Sequence, residues 1–111
     1  MTHEMRLHPE PFDLIESGIK TVEYRLNDEK RQELKIGDTI IFIRRESENK
    51  RLAVTITELK HYRDLLSMYT DSFDLYLSET YGTPQDAVID TPYYSKEEIE
   101  KYGCIAIYFK K

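Results

Sequence analysis

Two neighbouring segments of strand length constrain the fold of this chain most. The apolar segment 39–44 and the segment 51–62, in which polar and apolar residues alternate, are joined by a short polar stretch. Alternation with a period of two is typical of a half-buried strand, and a short connection favours antiparallel pairing. Gly37 lies in the turn that leads into the first segment and can adopt a positive φ there. The sequence therefore predicts an antiparallel hairpin.

Shorter signals on both sides of the hairpin predict the remaining elements. β-branched and aromatic residues predict strands, and apolar residues in helical register that end at a glycine predict helices. These signals predict a strand at 4–8, a short helix within 9–18, a strand at 20–26, a helical turn within 27–34, helical structure across 63–82 and a final strand at 104–109. The segment 83–94 is ambiguous, because its two prolines interrupt any long element.

The most clearly marked helix begins after Ser95. Glu98 lies three residues further on, which completes the pattern of a capping box, and Gly103 is placed to end the helix. The order of strands and helices predicts an α+β fold with a mostly antiparallel, closed sheet. The 111 residues contain no repeat and no linker, so we expect a single domain over 1–111.

Composition excludes several classes of protein. The 40% hydrophobic residues, with nine tyrosines and four phenylalanines, argue against disorder, and no apolar run is long enough to cross a membrane. Cys104 is the single cysteine, and the three histidines are scattered, so we expect neither a disulfide framework nor a metal site. No signal peptide is visible. These features predict a cytoplasmic protein without a membrane partner.

The distribution of charge favours a small anionic or nucleotide-sized target. The formal net charge is −5, which opposes indiscriminate binding to a phosphate backbone. Residues 20–51, however, contain nine basic and seven acidic side chains, so this third of the chain is mildly basic. A limited basic region on an acidic body suits a nucleotide better than a long duplex.

The stretch SGIKTVEYRL, residues 17–26, concentrates charge in a predicted strand. In an extended segment, Thr21, Glu23 and Arg25 share one face, opposite Lys20. One interpretation is that the polar trio faces water while the other face packs in the core. The alternative is that Glu23 and Arg25 line a cleft, where a guanidinium holds an anion or a base edge. A twist or bulge at the start of the strand would bring Lys20 to the same cleft.

This stretch, followed by KIGDTIIF and by the C-terminal YSKEEIEKYGCIAIYF, resembles the ASCH domain family of the PUA-like superfamily. The resemblance covers nearly the full chain. It implies a β-barrel of about six strands flanked by short helices, with a cleft at the barrel mouth. It also implies binding of RNA, or of a nucleobase or modified nucleoside, at a cleft lined by Lys20, Thr21, Glu23 and Arg25.

One branch of the family hydrolyses N4-acetylated cytidine nucleosides, so the resemblance implies hydrolysis as an alternative to binding. That branch uses a lysine, a threonine three positions later and a downstream glutamate. Lys20 matches the lysine, but Glu23 occupies the threonine position, and Thr21 is the nearby hydroxyl. A hydrolase of this kind, either an amidohydrolase or a ribonuclease, would use Lys20, Thr21 and Glu23 and would need neither a metal ion nor a cofactor.

Further residues are candidates for contact with a nucleic acid. Tyr24 and the pair Tyr93–Tyr94 could stack on unpaired bases, although most tyrosines are expected in the core or at its rim. Four basic residues flank the tip of the predicted hairpin, and they either solvate a turn or contact phosphate; they are Arg44, Arg45, Lys50 and Arg51. Three hypotheses therefore stay open: a binding module, a hydrolase and a regulatory domain without a ligand.

Overall fold

The computed structural model describes residues 1–47 and 49–111, which contain five β-strands, four α-helices and three short 3₁₀ turns. The strands are β1 (Thr2–Leu7), β2 (Val22–Leu26), β3 (Thr39–Arg44), β4 (Arg51–Tyr62) and β5 (Cys104–Lys110). The helices are α1 (Pro9–Glu16), α2 (Leu65–Asp71), α3 (Pro84–Ile89) and α4 (Lys96–Tyr102). Hydrogen-bonded neighbours in the sheet follow the order β1-β3-β4-β5-β2. The α+β class is confirmed, with five described strands where about six were predicted.

The described residues divide into two compact units. The first contains residues 1–23, 34–59 and 107–111, and the second contains residues 24–33 and 60–106. The chain passes several times from one unit to the other. The single domain over residues 1–111 stays a prediction.

The first unit is built on the predicted hairpin. β3 and β4 pair antiparallel, with Thr39 opposite Thr55 and Ile43 opposite Arg51. β1 adds to the other edge of β3 in parallel, with Thr2 opposite Thr39, and α1 packs on both strands. Its buried apolar side chains are Met5, Leu7, Phe12, Ile15, Val22, Leu34, Ile40, Phe42, Ile43, Val54, Ile56, Ile107 and Phe109. Burial of these side chains stabilises the sheet, because each strand alone is too short to be stable.

The second unit is mainly helical. α2 packs against α3, and α4 begins at the predicted capping box, in which Ser95 and Glu98 each accept a hydrogen bond from the other's backbone N–H. Its buried apolar side chains are Leu26, Leu65, Met68, Tyr69, Leu77, Ala87, Cys104, Ile105 and Ala106. None of the helices in the described part of the chain has the length and apolar character needed to span a membrane.

The helix α3 lies in the segment that the sequence left ambiguous. Pro84 occupies the first turn, where a proline costs no helical hydrogen bond. Thr83 and Asp86 form a second capping box in front of it. The proline therefore begins a helix here, although the sequence pattern suggested an interruption.

Candidate ligand-binding site

The turn after α1 places Lys20 outside the strand in which it was predicted. Gly18 has a φ of 85°, and the backbone N–H groups of Ile19 and Lys20 both donate to the carbonyl of Leu14 at 3.0 Å. β2 begins only at Val22. Strand alternation therefore does not govern the direction of the Lys20 side chain.

Lys20 and Glu23 form a buried ion pair in the first unit. The Nζ atom of Lys20 donates to Oε1 of Glu23 at 2.9 Å, and each side chain is only 6% exposed. The interpretation in which Glu23 faces water is wrong, because Glu23 is buried, as is its neighbour Val22 on the opposite face of β2. Two buried charges are costly to desolvate, and close pairing offsets only part of that cost. A pair in this position therefore needs either a structural or a functional explanation.

Thr21 lies between the two charged residues and has a different environment. Its side chain is exposed, whereas its backbone carbonyl accepts a hydrogen bond from the N–H of Phe109 at 3.2 Å. The backbone at Thr21 is thus tied to β5 within the first unit. Its hydroxyl is accessible to water or to a ligand.

Tyr24 and Arg25 belong to the second unit. The hydroxyl of Tyr24 lies 2.6 Å from Oγ of Ser72. The Tyr24 ring stacks on Tyr76, with centroids 6.2 Å apart, and meets the edge of Tyr69 at 5.1 Å. These contacts engage Tyr24 in a tyrosine cluster. Arg25 is half-buried in β2, and its part in ligand binding stays a prediction.

Two further tyrosine sites differ in exposure. Tyr69 is buried, its hydroxyl lies 2.9 Å from Oγ1 of Thr91, and burial raises its pKa well above the usual range. Tyr69 is therefore a neutral structural residue at physiological pH. Tyr93 is 71% exposed, and its ring meets that of Tyr94 edge-on at 4.9 Å. Tyr93 has the exposure that a base-stacking residue requires.

Within residues 1–47 and 49–111, three of the four basic residues near the hairpin tip are seen paired with carboxylates. Arg44 donates to Asp13 through Nε at 3.0 Å and Nη2 at 3.2 Å. The ion pairs of the other two are Lys50 with Glu16 at 3.5 Å and Arg51 with Glu4 at 3.4 Å. Arg45 is exposed. A phosphate would have to compete with these carboxylates, and phosphate contact by the four basic residues stays a prediction.

The second unit also contains a cavity that the sequence did not indicate. It has a volume of about 630 Å³ and lies among the first residues of α2, the end of α3 and one face of α4. Its apolar lining includes Leu65, Val88 and Ile99. These residues come from three separate segments, so no local pattern could have identified the cavity.

Metal ligands are not grouped in the part of the chain that the structure describes. Within residues 1–47 and 49–111, no three His, Cys, Asp or Glu side chains lie together as metal ligands would. Function without a metal ion or cofactor stays a prediction.

Comparison with known proteins identifies the family. The chain is similar to the hypothetical protein PH0355, whose crystal structure is 31% identical with a TM-score of 0.83 and covers 99% of this chain and 98% of that one. It is also similar to protein PF0455 from Pyrococcus furiosus, whose solution NMR structure is 29% identical with a TM-score of 0.74, at 99% and 96% coverage. No curated protein matches the sequence significantly. The family model of the ASCH domain matches residues 5–111, and the chain therefore belongs to the ASCH domain family.

Proposed function

We propose that this ASCH domain binds RNA or a nucleobase or nucleoside, and that Lys20 and Glu23 contact the base. The observation that carries the proposal is the buried ion pair between these residues, with 2.9 Å between Nζ and Oε1. Removing both charges from water is costly, and a hydrophobic pair of similar volume would often serve stability equally well. A binding role explains why two charged residues occupy this position.

The chemistry of the pair suits the edge of a nucleobase. A carboxylate accepts hydrogen bonds from exocyclic amino groups such as that of cytosine, and an ammonium donates to ring carbonyl oxygens. The ammonium of Lys20 holds the Glu23 carboxylate in a fixed position, so less side-chain entropy is lost when a ligand binds. An amino group next to a carbonyl would therefore be recognised by this pair.

The remaining predicted contacts would add to this recognition. An arginine fork such as that of Arg25 can bind a phosphate or a base edge with two hydrogen bonds. Tyr93 and Arg45 are both exposed, and contact of either one with a nucleic acid stays a separate prediction. Because the net charge is −5, we expect few phosphate contacts and a shallow dependence of affinity on salt.

A hydrolase is the second candidate, because an amine, a carboxylate and an exposed hydroxyl occur within four residues. Lys20 would first transfer its proton to Glu23 and would then, as a neutral amine, take a proton from Thr21 or water. Glu23 would return a proton to the leaving amine. A base of this kind supplies roughly 10²–10⁴ in rate. Such an enzyme would be an amidohydrolase of N4-acetylcytidine or a ribonuclease.

Titration calorimetry with cytidine, N4-acetylcytidine and a structured RNA tests the proposal. We expect Glu23→Gln to weaken binding about tenfold or more, since a lost charged hydrogen bond costs about 1.5–3 kcal/mol. Asp28→Asn is the matched control, because Asp28 and Arg31 form an i,i+3 ion pair at 3.3 Å that is more exposed. The control should bind as the wild type does. Arg25→Gln in the same series tests the predicted arginine contact.

Product analysis separates the alternatives. Release of acetate from N4-acetylcytidine, or cleavage of the RNA, that disappears in Lys20→Met while circular dichroism shows that the variant is still folded would establish a hydrolase. Binding without turnover would support the binding module. No heat of binding with any of the three compounds would contradict the proposal and leave the regulatory domain as the explanation.

A further inference from the structure

The segment from residue 64 to residue 95 carries charge of only one sign. It contains neither lysine nor arginine, and its carboxylates are Asp64, Asp71, Asp74, Glu79, Asp86 and Asp90. The whole segment belongs to the second unit. Such a segment gives its part of the surface a negative potential, which attracts cationic partners and repels phosphate.

This surplus of negative charge lies outside the cavity of the second unit. The cavity is lined by Arg63 and Lys96, which flank the segment, and by the carboxylates of Asp64 and Glu100. The two cations and the two carboxylates balance each other there. The carboxylates of α3 lie outside that lining and have no cation of the segment beside them.

Two large apolar side chains are exposed at the end of α3. Ile89, the last residue of the helix, is 77% exposed, and Tyr93 is 71% exposed. Among residues 1–47 and 49–111, only Met1 exposes more of a large apolar side chain. Four residues of chain span at most about 14 Å, so Ile89 and Tyr93 lie on the same part of the surface. Covering both with a partner would remove apolar surface from water.

Neighbouring contacts hold the groups of this surface in place. The ring of Tyr93 meets that of Tyr94 edge-on, with centroids 4.9 Å apart. The hydroxyl of Tyr81 donates to Oδ2 of Asp90. Tyr93 contributes to the raised pKa of Tyr81, after burial and Asp90, so its hydroxyl lies near the contact between Tyr81 and Asp90. Side chains that are already held lose less entropy when a partner binds.

We propose that the α3 surface, formed by Tyr81, Asp86, Ile89, Asp90 and Tyr93, is a docking site for a basic segment of a partner protein. Lysine or arginine side chains of the partner pair with Asp86 and Asp90. Apolar side chains of the partner cover Ile89 and Tyr93. An exposed tyrosine beside an aliphatic side chain, with charges around them, is the arrangement of an interface anchor and its polar rim.

Charge decides between a basic protein and the other occupants. The phosphates of a nucleic acid would meet carboxylates without a cation from residues 64–95 to offset them. A second copy of the chain is disfavoured as well, because each copy has a net charge of −5. The α3 surface does not depend on the proposed role of Lys20 and Glu23.

The probe is a synthetic amphipathic peptide of lysine and leucine, and the control peptide has glutamate in place of each lysine. Methyl and aromatic NMR of the full chain follows each titration. We expect the largest shifts at the methyl groups of Ile89 and at the ring of Tyr93. Ile36, which is 65% exposed in the first unit, should not shift. Shifts concentrated elsewhere, or equal binding of the two peptides, would overturn the proposal.

Matched variants test the apolar anchors. Ile89→Ala and Tyr93→Ala should each weaken peptide binding about fivefold or more, because loss of an interface anchor costs more than about 1 kcal/mol. Ile36→Ala is the control for Ile89→Ala and should leave the affinity unchanged. All three side chains are largely exposed, so thermal unfolding should remain cooperative. Equal affinity of the three variants and the wild type would rule out these anchors.

A second pair of variants separates local charge from net charge. Asp86→Asn combined with Asp90→Asn should weaken peptide binding roughly two- to tenfold, because each exposed ion pair contributes about 0.2–1 kcal/mol. Glu10→Gln combined with Glu33→Gln removes the same charge from exposed residues elsewhere and should have little effect. Equal effects would mean that the peptide follows net charge and has no docking site on α3. Should the Asp86 and Asp90 variant fail to fold, the wild-type shift map decides the location.

The same spectra test the other occupants. A structured RNA that shifts Ile89 and Tyr93 more than the peptide does would make this surface a nucleic-acid contact and refute the proposal. Shifts at these residues that appear on raising the protein concentration alone would assign the surface to a second copy. Loss of nucleobase binding in Glu23→Gln without any change in peptide binding would confirm that the two sites are independent.

Discussion

The ammonium of Lys20 and the carboxylate of Glu23 meet at 2.9 Å where their side chains are 6% exposed. The contact crosses the boundary between a turn and a strand, since Lys20 precedes β2 and Glu23 lies within it. The two charges can therefore pair only if the turn after α1 brings Lys20 next to Glu23. The first prediction follows from this relationship.

Lys20→Met should lower the free energy of unfolding by about 3–5 kcal/mol, because it removes the ammonium from beside a buried carboxylate. Lys50→Met is the matched control, since Lys50 and Glu16 are each 48% exposed in an ion pair at 3.5 Å and such pairs contribute about 0–1 kcal/mol. Urea unfolding measures both values. Equal losses in the free energy of unfolding would show that the buried pair contributes no more to stability than the exposed pair.

The double variant Lys20→Met with Glu23→Leu extends this prediction. Replacing both charges with apolar groups should restore most of the stability that the single variant loses. If the pair also binds a nucleobase, the double variant should be stable and yet fail to bind. Recovery of stability together with wild-type affinity would indicate a purely structural pair.

Gly103→Ala should be much more destabilising than Gly37→Ala. Gly103 ends α4 at φ 71° and ψ −170°, a region that is essentially restricted to glycine. A Cβ there would lie 2.8 Å from the backbone oxygen of Tyr62, whereas a Cβ at Gly37, with φ 93°, meets nothing within 4 Å. We expect about 1 kcal/mol for Gly37→Ala and more than about 3 kcal/mol for Gly103→Ala.

Thermal or urea unfolding of the two glycine variants measures this difference. Both substitutions add the same methyl group at a positive φ, so the contrast between them lies in the close approach to Tyr62 and in the ψ of −170° at Gly103. Similar losses would mean that the backbone near Gly103 relaxes at little cost.

The thiol of Cys104 should resist both ionisation and modification. It is fully buried, and burial, followed by the charge of Asp64, raises its pKa to about 11 from an ordinary value of 9.0. Reaction with a disulfide reagent at pH 8 should therefore be slow in the folded protein and fast in urea. Comparable rates in both conditions would contradict the burial of this thiol.

The raised pKa of Cys104 also predicts how stability changes with pH. The folded state keeps the proton that the unfolded state releases, so the contribution is complete below pH 9.0 and is lost as the pH rises towards about 11. Wild-type stability should fall relative to Cys104→Ala by about 1.4 kcal/mol per pH unit in this window. A difference that does not change with pH would refute this assignment.

Asp13 should titrate below its ordinary pKa of 3.8 because Arg44 donates hydrogen bonds to its carboxylate. The contribution to stability is therefore present above pH 3.8 and is lost as the pH falls through the lower folded value. Carboxyl NMR should show the titration of Asp13 move upward in Arg44→Gln. Lys50→Gln should raise the pKa of Asp13 by less, because the charge of Lys50 lowers that pKa less than Arg44 does.

Local sequence signals predicted those elements that are specified by residues close together in the chain. Ser95 and Glu98 predicted the start of α4, and the alternation in residues 51–62 predicted β4 with the bounds that the structure has. A capping box and a strand period involve residues only two or three positions apart, so tertiary contacts need not be known.

Other features could not be read from neighbours in the sequence. The parallel pairing of β1 with β3 places Thr2 opposite Thr39, and nothing in either segment specifies that register. The same holds for the cavity of the second unit, whose lining comes from α2, α3 and α4. Only packing brings such distant residues together.

In the candidate site, too, some features follow from the local sequence and others from packing. The sequence by itself was enough to predict Lys20, Thr21, Glu23 and Arg25 as candidate ligand-binding residues, because residue types and spacing carry the family motif. The tertiary structure decided that Lys20 pairs with Glu23 and that Thr21 stays exposed. The reason is that the turn after α1 delays the strand until Val22, and burial depends on packing from elements far away in the chain.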